Sequence, residues 1–376
     1  WYPITPSTSV AEGFEKYASK YRVDPQTGKN NYISVQAEDE LAAVGMAIGA
    51  NWNGARGFTA TSGPGISLMS EFLGLAYFAE VPLVIFNIQR GGPSTGMPTR
   101  TQQSDILSCA YASHGDTKHV LLFPEDPQEC FEFSAEAFNL AERLQTPVFV
   151  ISDLDIGMND WVTDKFEWDD EQKYDRGKVL KAEDLDKMDN FGRYLDVDDD
   201  GICYRTYPGT HPEKGAFFTR GTSHDEYARY TENGDINEQT LTRLVKKFRT
   251  ASELVPDPII NLSEKQGSSG VIFYGSTSAA MYEAKDILNE NKIEIDLMRI
   301  RSFPFNLDVW EFIENHDLIY VIEQNRDSQM RTLIMAEGGI SAEKLRSLVW
   351  FNGDPIQAKF IAKKIYERES QQALIT

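Results

Sequence analysis

ARGFTATSGPGISLMSEFLGLAYFAEVPLVIFNIQRGGPSTGMPTRTQQSD, residues Ala55 to Asp105, reads as two buried strands joined by a helix, with a glycine-rich polar turn after each strand. Phe58 to Thr61 suits a short strand and Ser62-Gly-Pro-Gly65 a turn whose glycines permit positive φ. Ile66 to Phe78 suits a helix with Met69, Phe72, Leu73 and Ala76 on one face. Pro82 to Ile88 is a continuous apolar run of the kind buried on both faces in a parallel sheet, and such sheets place ligands beyond the carboxyl ends of their strands. At that end stands Gln89-Arg-Gly-Gly-Pro-Ser-Thr-Gly96. An arginine there can present its planar fork to a carboxylate; the plainer alternative is a surface loop whose arginine makes a salt bridge.

Upstream, a helix starts near Thr5-Pro6, by a threonine cap with proline at the first helical position or by a capping box of Ser9 and Glu12 one turn later. Val10, Phe14, Tyr17 and Tyr21 form its apolar face. Tyr32 to Val35 suits a short strand, followed by a helix that opens on Glu38-Asp39-Glu40, where the helix dipole favours carboxylates. Gly45 and Gly49 leave a bare strip on that helix, open to a close backbone or a flat ligand. Trp1-Tyr-Pro-Ile4 reads as the end of a strand, so residues are expected upstream of Trp1.

Downstream, strands at 119–123 and 147–154 flank a helix at 125–144, giving the alternation of a doubly wound parallel sheet. A second alternating unit places strands at 271–274, 293–298, 318–322 and 348–351 and helices at 279–289 and 357–368. The expected fold is therefore α/β, two doubly wound parallel-sheet domains over 1–160 and 265–376, joined by an irregular acidic segment at 161–264. Within that segment, Asp196, Asp198, Asp200 and Gly201 match the start of a calcium loop, but Tyr207 holds the position of the closing glutamate, so a solvated acidic turn competes with a cation site.

A chain of 376 residues with a formal net charge of -21 suits two globular domains and argues against nucleic acid or an anionic membrane as the main partner. Cys109, Cys130 and Cys203 match no metal or cluster spacing and read as reduced thiols. No apolar run nears the ~20 residues of a membrane span, and cytoplasmic residence is expected.

Taken together, Tyr2-Pro-Ile-Thr-Pro-Ser7, Glu40-Leu-Ala-Ala-Val-Gly45, Thr59-Ala-Thr-Ser-Gly-Pro-Gly65 and Gln89-Arg-Gly-Gly-Pro-Ser-Thr-Gly-Met-Pro-Thr99 resemble the alpha subunit of the 2-oxoacid:ferredoxin oxidoreductases, most closely the 2-oxoglutarate branch. Tyr204-Arg-Thr-Tyr-Pro-Gly-Thr210 and Gly221-Thr-Ser-His-Asp-Glu226 extend the match through the middle region. The resemblance implies a first domain that binds the pyrimidine of thiamine diphosphate and a second that is transketolase-C-terminal-like. It implies a beta subunit holding the diphosphate, magnesium and an iron-sulfur cluster, and a gamma domain or subunit, in this branch often fused ahead of the alpha part. The implied reaction takes a 2-oxoacid and coenzyme A and reduces ferredoxin. Within the family, pyruvate or branched-chain 2-oxoacids are the alternative substrates; a noncatalytic scaffold subunit is the alternative of another class.

The resemblance also assigns roles. Glu40 matches the acid that protonates the pyrimidine, with Glu38 as runner-up; Thr5 and Arg90 match the residues that meet the 2-oxoacid. Ser94, Thr95 and Thr99 are candidates for the rest of the pocket. His224 is the histidine inside a matched motif, read as structural or as a pocket residue.

Overall fold

The apolar run after Pro82 becomes the middle of a parallel sheet, because every second residue finds a separate core. In a computed structural model that describes residues 1–169, 171–263 and 269–373, the strands are β1 (Phe58–Thr61), β2 (Leu83–Gln89), β3 (Val120–Leu122), β4 (Pro147–Asp153), β5 (Ile259–Asn261), β6 (Ser269–Tyr274), β7 (Asp296–Ile300), β8 (Ser302–Phe303), β9 (Leu318–Glu323) and β10 (Leu345–Val349). One sheet has the order β1-β2-β4-β3-β8 and the other β10-β9-β6-β7-β5. All neighbours are parallel except β8 against β3 and β5 against β7. The expected α/β class with two parallel-sheet domains is what the chain adopts.

Leu83, Ile85, Leu121, Phe149 and Ile151 point into one core, and Val84, Phe86, Val120, Leu122, Val148 and Val150 into another. The first of these cores continues into Ile272, Met298, Ile300, Ile319 and Val321 of the second sheet. Val271, Phe273, Leu297, Tyr320 and Ile322 face a third core closed by helices Thr277–Glu290 and Ala358–Ala373. The two sheets thus share a core, and β8 crosses over to extend the first sheet at Leu121↔Phe303.

Several local expectations fail for identifiable reasons. The first helix is Thr8–Tyr21, with Ser7 as its cap and Pro6 outside it. Ser7 N–H and Ser9 Oγ–H donate to Ile4 O and Pro6 O, so neither Thr5 nor Ser9 caps the helix. Its buried residues are the small pair Ala11 and Ala18; Val10 packs on the core and the Phe14 ring on Phe58 and Tyr32, while Tyr17 and Tyr21 point outward. Residues 32–35 form no strand; Val35 O accepts from the Trp1 amino group and Ala37 N–H donates to Trp1 O, leaving Ile33 84% exposed. The 161–264 stretch holds the 19-residue helix Gly234–Ser252, whose polar sequence hid a face of Leu244, Lys247 and Ala251. The expected division at residue 265 lies outside the described residues.

The calcium-like loop is occupied by lysines. Lys178 pairs with Asp198 and Asp200 at 2.7 and 2.9 Å, and Lys246 pairs with Asp196 and Asp199. Asp196 also accepts from the Asp200 and Gly201 N–H groups, so each of these acids is already engaged within the chain.

Helix Pro127–Leu144 is tied to β7 by Arg299, whose two amino groups reach Glu129 at 2.6 and 2.8 Å, with Arg301 adding a bond at 2.8 Å. Burial pushes the Glu129 carboxyl up, but the Arg299 bonds and the two positive charges outweigh it and hold it below the ordinary range. Glu129→Gln leaves Arg299 as a buried charge with a weakened partner, and should lower unfolding free energy by about 3–5 kcal/mol. A depressed folded value means this contribution is complete above the ordinary carboxylate pKa, ~4.3, and fades as pH falls through the lower folded value. Urea melts of wild type and variant should therefore differ by a constant amount near neutrality and converge only below about pH 4.

Candidate functional site

The carboxyl ends of β1 and β2 open side by side, and the chain that follows each strand supplies the candidate residues. After β1, Ser62 caps helix Gly63–Phe78, so Gly63 and Gly65 lie in its first turn, and neither has the positive φ expected of a turn. Their role is close approach. A Cβ on Gly65 would stand 1.9 Å from Thr61 Oγ1, 2.8 Å from Glu40 Cγ and 3.2 Å from Glu40 Oε1. Only a bare backbone lets the Glu40 side chain lie against this helix start.

Glu40 is the first residue of helix Glu40–Trp52 and is 5% exposed. Asp39 caps that helix by accepting from Ala42 N–H at 2.7 Å, and Glu38 is exposed. The three acids thus divide into a cap, a surface group and a buried one. Gly45 is filled by the Phe72 ring, 3.3 Å from where a Cβ would be, whereas Gly49 faces open space. Thr59 Oγ1 and Ser62 Oγ nearby are buried without a protein partner.

After β2, Arg90 is 7% exposed and donates from Nη1 to Thr5 O at 2.7 Å, which joins two of the predicted residues through main chain rather than hydroxyl. Its Nε is buried without a partner. The loop beyond folds back through Met97 N–H to Gly91 O at 2.7 Å, and a Cβ on Gly96 would stand 1.6 Å from Gly91 O. Ser94, Thr95 and Thr99 lie on the exposed part of this loop and Thr5 is exposed as well, so the hydroxyls are set apart from the buried guanidinium.

Asp105 joins the site unannounced by the sequence. Its carboxylate accepts from Asn87 Nδ2 at 3.1 Å, its N–H donates to Gln89 Oε1 at 2.9 Å, and its Oδ1 lies 2.9 Å from a Cβ built on Gly63. Burial raises it to about 6, against the Asn87 bond and the nearby charge of Arg90. The sequence offered only an aspartate before a five-residue helix, a pattern indistinguishable from a cap.

His224 is fully buried, with Nδ1 against Thr222 O at 3.1 Å and its ring packed on Tyr194 and Phe78. Phe78 ends the helix that Gly63 begins, so His224 sits roughly 20 Å from Glu40 and plays a packing role.

Residues 1–250 match the family model described as pyruvate flavodoxin/ferredoxin oxidoreductase, thiamine diphosphate-binding. The alpha subunit of 2-oxoacid:ferredoxin oxidoreductase 1 from Sulfurisphaera tokodaii is 35% identical over 94% of this chain and 56% of its own length. 2-Oxoglutarate synthase subunit KorA from Methanothermobacter thermautotrophicus is 35% identical over 86% of this chain and 81% of its own. Among solved structures, the 2-oxoglutarate:ferredoxin oxidoreductase from Magnetococcus marinus, with 2-oxoglutarate, coenzyme A and succinyl-CoA bound, superposes with a TM-score of 0.84 at 28% identity. That match covers 97% of this chain and 61% of the other, so the chain spans little more than half the length of several relatives. No helix among the described residues is long and apolar enough to cross a membrane.

Two stability measurements check the geometry. Gly65→Ala should force Thr61 and Glu40 apart and cost about 1–3 kcal/mol in denaturant melts, whereas Gly49→Ala, with open space at its Cβ, should not destabilise. For Asp105 the folded carboxyl binds its proton more tightly than the unfolded one. Its contribution therefore favours the fold below about pH 4 and is lost as pH rises to about 6, a difference of roughly 3 kcal/mol. Asp105→Asn should remove that slope from the pH profile of unfolding free energy; an unchanged slope would show that Asp105 is not the group responsible.

Proposed function

The chain belongs to the pyruvate flavodoxin/ferredoxin oxidoreductase family through its thiamine-diphosphate-binding domain, and from that premise we propose that it is the alpha subunit of an enzyme converting 2-oxoglutarate and coenzyme A to succinyl-coenzyme A and carbon dioxide, with electrons passed to ferredoxin. The observation that carries this reading is the buried Glu40 carboxyl, held against the bare start of helix Gly63–Phe78 beside the carboxyl ends of β1 and β2. The 2-oxoglutarate synthase names among the relatives, and the 2-oxoglutarate bound in the Magnetococcus structure, favour that substrate over pyruvate or a branched-chain acid.

Thiamine diphosphate, when bound, supplies the carbanion that such a decarboxylation requires. The residues present fit the pyrimidine end of that cofactor: a buried acid, unpartnered hydroxyls at Thr59 and Ser62, and a glycine cradle. Glu40 is assigned to hold the proton on a pyrimidine ring nitrogen, a general acid–base role. Arg90 makes no ion pair among the described residues, although its charge reaches Asp105, and its free Nε and the exposed Thr5 make the pair suited to a substrate carboxylate. Ser94, Thr95 and Thr99 contribute from the exposed loop.

Magnesium, the diphosphate and an iron-sulfur cluster are assigned to a beta subunit, and a gamma domain or subunit completes the assembly. The exposed Tyr17, Tyr21, Ile33 and Val35 support a partner on this part of the chain, since this much apolar surface is costly to leave in water. Cytoplasmic residence and a division into domains at 1–160 and 265–376 belong to the same proposal.

In the assembled enzyme, Glu40→Gln should lower turnover roughly a hundred- to ten-thousand-fold, with Glu38→Gln within a few-fold of wild type. Decarboxylation by Glu40→Gln near the wild-type rate would remove Glu40 from the chemistry. For substrate choice, the ratio of kcat/KM for 2-oxoglutarate over pyruvate should be roughly thirty-fold or more and should collapse in Arg90→Ala. A wild-type ratio near one refutes 2-oxoglutarate; a large ratio that survives the mutation refutes the role of Arg90.

A further inference from the structure

Asp105 stands at the cap position of the short helix Ile106–Ala110, yet its carboxyl accepts nothing from that helix. An aspartate so placed ordinarily satisfies a free N–H of its own first turn. Here the side chain turns to the end of β2. Asn87 Nδ2 donates to its Oδ2 at 3.1 Å, and its Oδ1 accepts no hydrogen bond among the described residues. The main chain is held by the same strand, since the Asp105 N–H donates to Gln89 Oε1 and Gln89 directly precedes Arg90. Both carboxyl oxygens lie against Gly63, 2.9 and 3.1 Å from where its Cβ would be.

The opening turn of helix Gly63–Phe78 therefore carries two carboxyls, Asp105 on Gly63 and Glu40 on Gly65. The strands beneath them are neighbours, with Thr61 and Asn87 in register. The charged and titratable groups facing Asp105 are Arg90 from the end of β2, Cys109 from its own helix and Glu40 across the helix start; Asn87, Gln89 and Gly63 are neutral. Burial holds Cys109 as a thiol. Burial also raises the Asp105 carboxyl to about 6, against the Asn87 bond and the charge of Arg90.

A 2-oxoacid carboxylate on Arg90 adds a second negative charge beside the cation that already acts on Asp105. Like charges brought together favour neutralising one of them, and the carboxyl next to a keto group is the stronger acid of the two. Resting on the 2-oxoacid reading of Arg90, we propose that Asp105 takes up one proton from solvent as the 2-oxoacid binds, leaving Arg90 to the incoming carboxylate. Asp105 is then a positioning residue that acts on the substrate through Arg90, and it returns the proton when the site empties.

Steady-state rates of the assembled enzyme across pH test this, with 2-oxoglutarate and with pyruvate, because either acid brings a carboxylate to Arg90. A rise of about one unit in the Asp105 carboxyl on binding makes affinity change up to tenfold with pH. KM should therefore be level below about pH 6 and climb about fivefold by pH 8, with the change falling on KM rather than kcat. In Asp105→Asn, which is neutral throughout, the climb should shrink to about twofold or less. Asn87→Ala removes a donor that favours the ionised form, so its climb should begin at higher pH; this variant serves should Asp105→Asn fail to fold. Infrared difference spectra taken on adding 2-oxoglutarate near neutrality should show a protonated-carboxyl band in wild type that is missing in Asp105→Asn. A level KM in wild type, the same climb in Asp105→Asn, an unmoved onset in Asn87→Ala or the same band in both proteins would each overturn the inference while leaving the 2-oxoacid reading in place. Turnover of neither acid would remove that reading and this inference together.

Discussion

Gln103 is the residue on which the candidate site depends. It is 1% exposed and lies where the carboxyl ends of the two sheets meet. Its N–H donates to Gln324 O at 2.8 Å, its Oε1 accepts from Gln324 N–H at 3.1 Å, its Nε2 donates to Tyr274 O at 3.1 Å, and its carbonyl accepts from Asn325 Nδ2 at 2.9 Å. Ser276 extends the network to Asp153 at the end of β4, with a bond of 2.6 Å. Because both main chain and side chain are satisfied in a dry setting, moving Gln103 would leave several buried polar groups unpaired at once. The loop from Arg90 to Asp105 is thereby fixed at its far end by the second sheet, although its near end belongs to the first.

This anchoring explains why the second domain matters to a site it does not visibly line. Thr101 N–H donates to Gly353 O and Arg100 pairs with Asp354, so the exposed hydroxyl loop rests on the turn after β10. Gln329 accepts from Leu107 N–H and donates to Ser104 O, holding the short helix after Asp105. Asp105 is consequently clamped on both sides, and its carboxylate has one place to go: beside Asn87 at the start of helix Gly63–Phe78. The exposed Arg100–Asp354 pair adds little energy by itself. The buried amide contacts carry the coupling.

The parallel sheets were legible because their strands are apolar runs bounded by turns, and such runs have few other ways to be buried. Glu40 and Arg90 were legible through the motifs around them, and the structure adds what a motif omits: Glu40 is the buried acid of its run, and Gly65 is the residue that makes room for it. The helix at 234–252 escaped notice because its buried positions include Lys247, a residue that pattern reading assigns to the surface. Lys247 is inside only because Glu80, far away in sequence, reaches it. Asp105, Gln103 and Arg193 escaped for the same reason: each depends on partners that only the assembled fold brings near. The acidic loop at Asp196 shows the converse, a local pattern with a clear meaning that Lys178 and Lys246 override.

The buried arginines fall into two kinds, and the difference bears on function more than their burial does. Arg299 meets Glu129 and Glu125, so its charge is cancelled within the protein and it serves the fold. Arg90 and Arg193 are each held through one amino group by a main-chain carbonyl, of Thr5 and of Glu80. A carbonyl fixes the plane of a guanidinium without neutralising it. With 58 acidic residues against 37 basic ones, a carboxylate partner is the easier arrangement for this chain to reach. An arginine oriented in this way keeps its charge for its surroundings, and at Arg90 that charge acts on the Asp105 carboxyl.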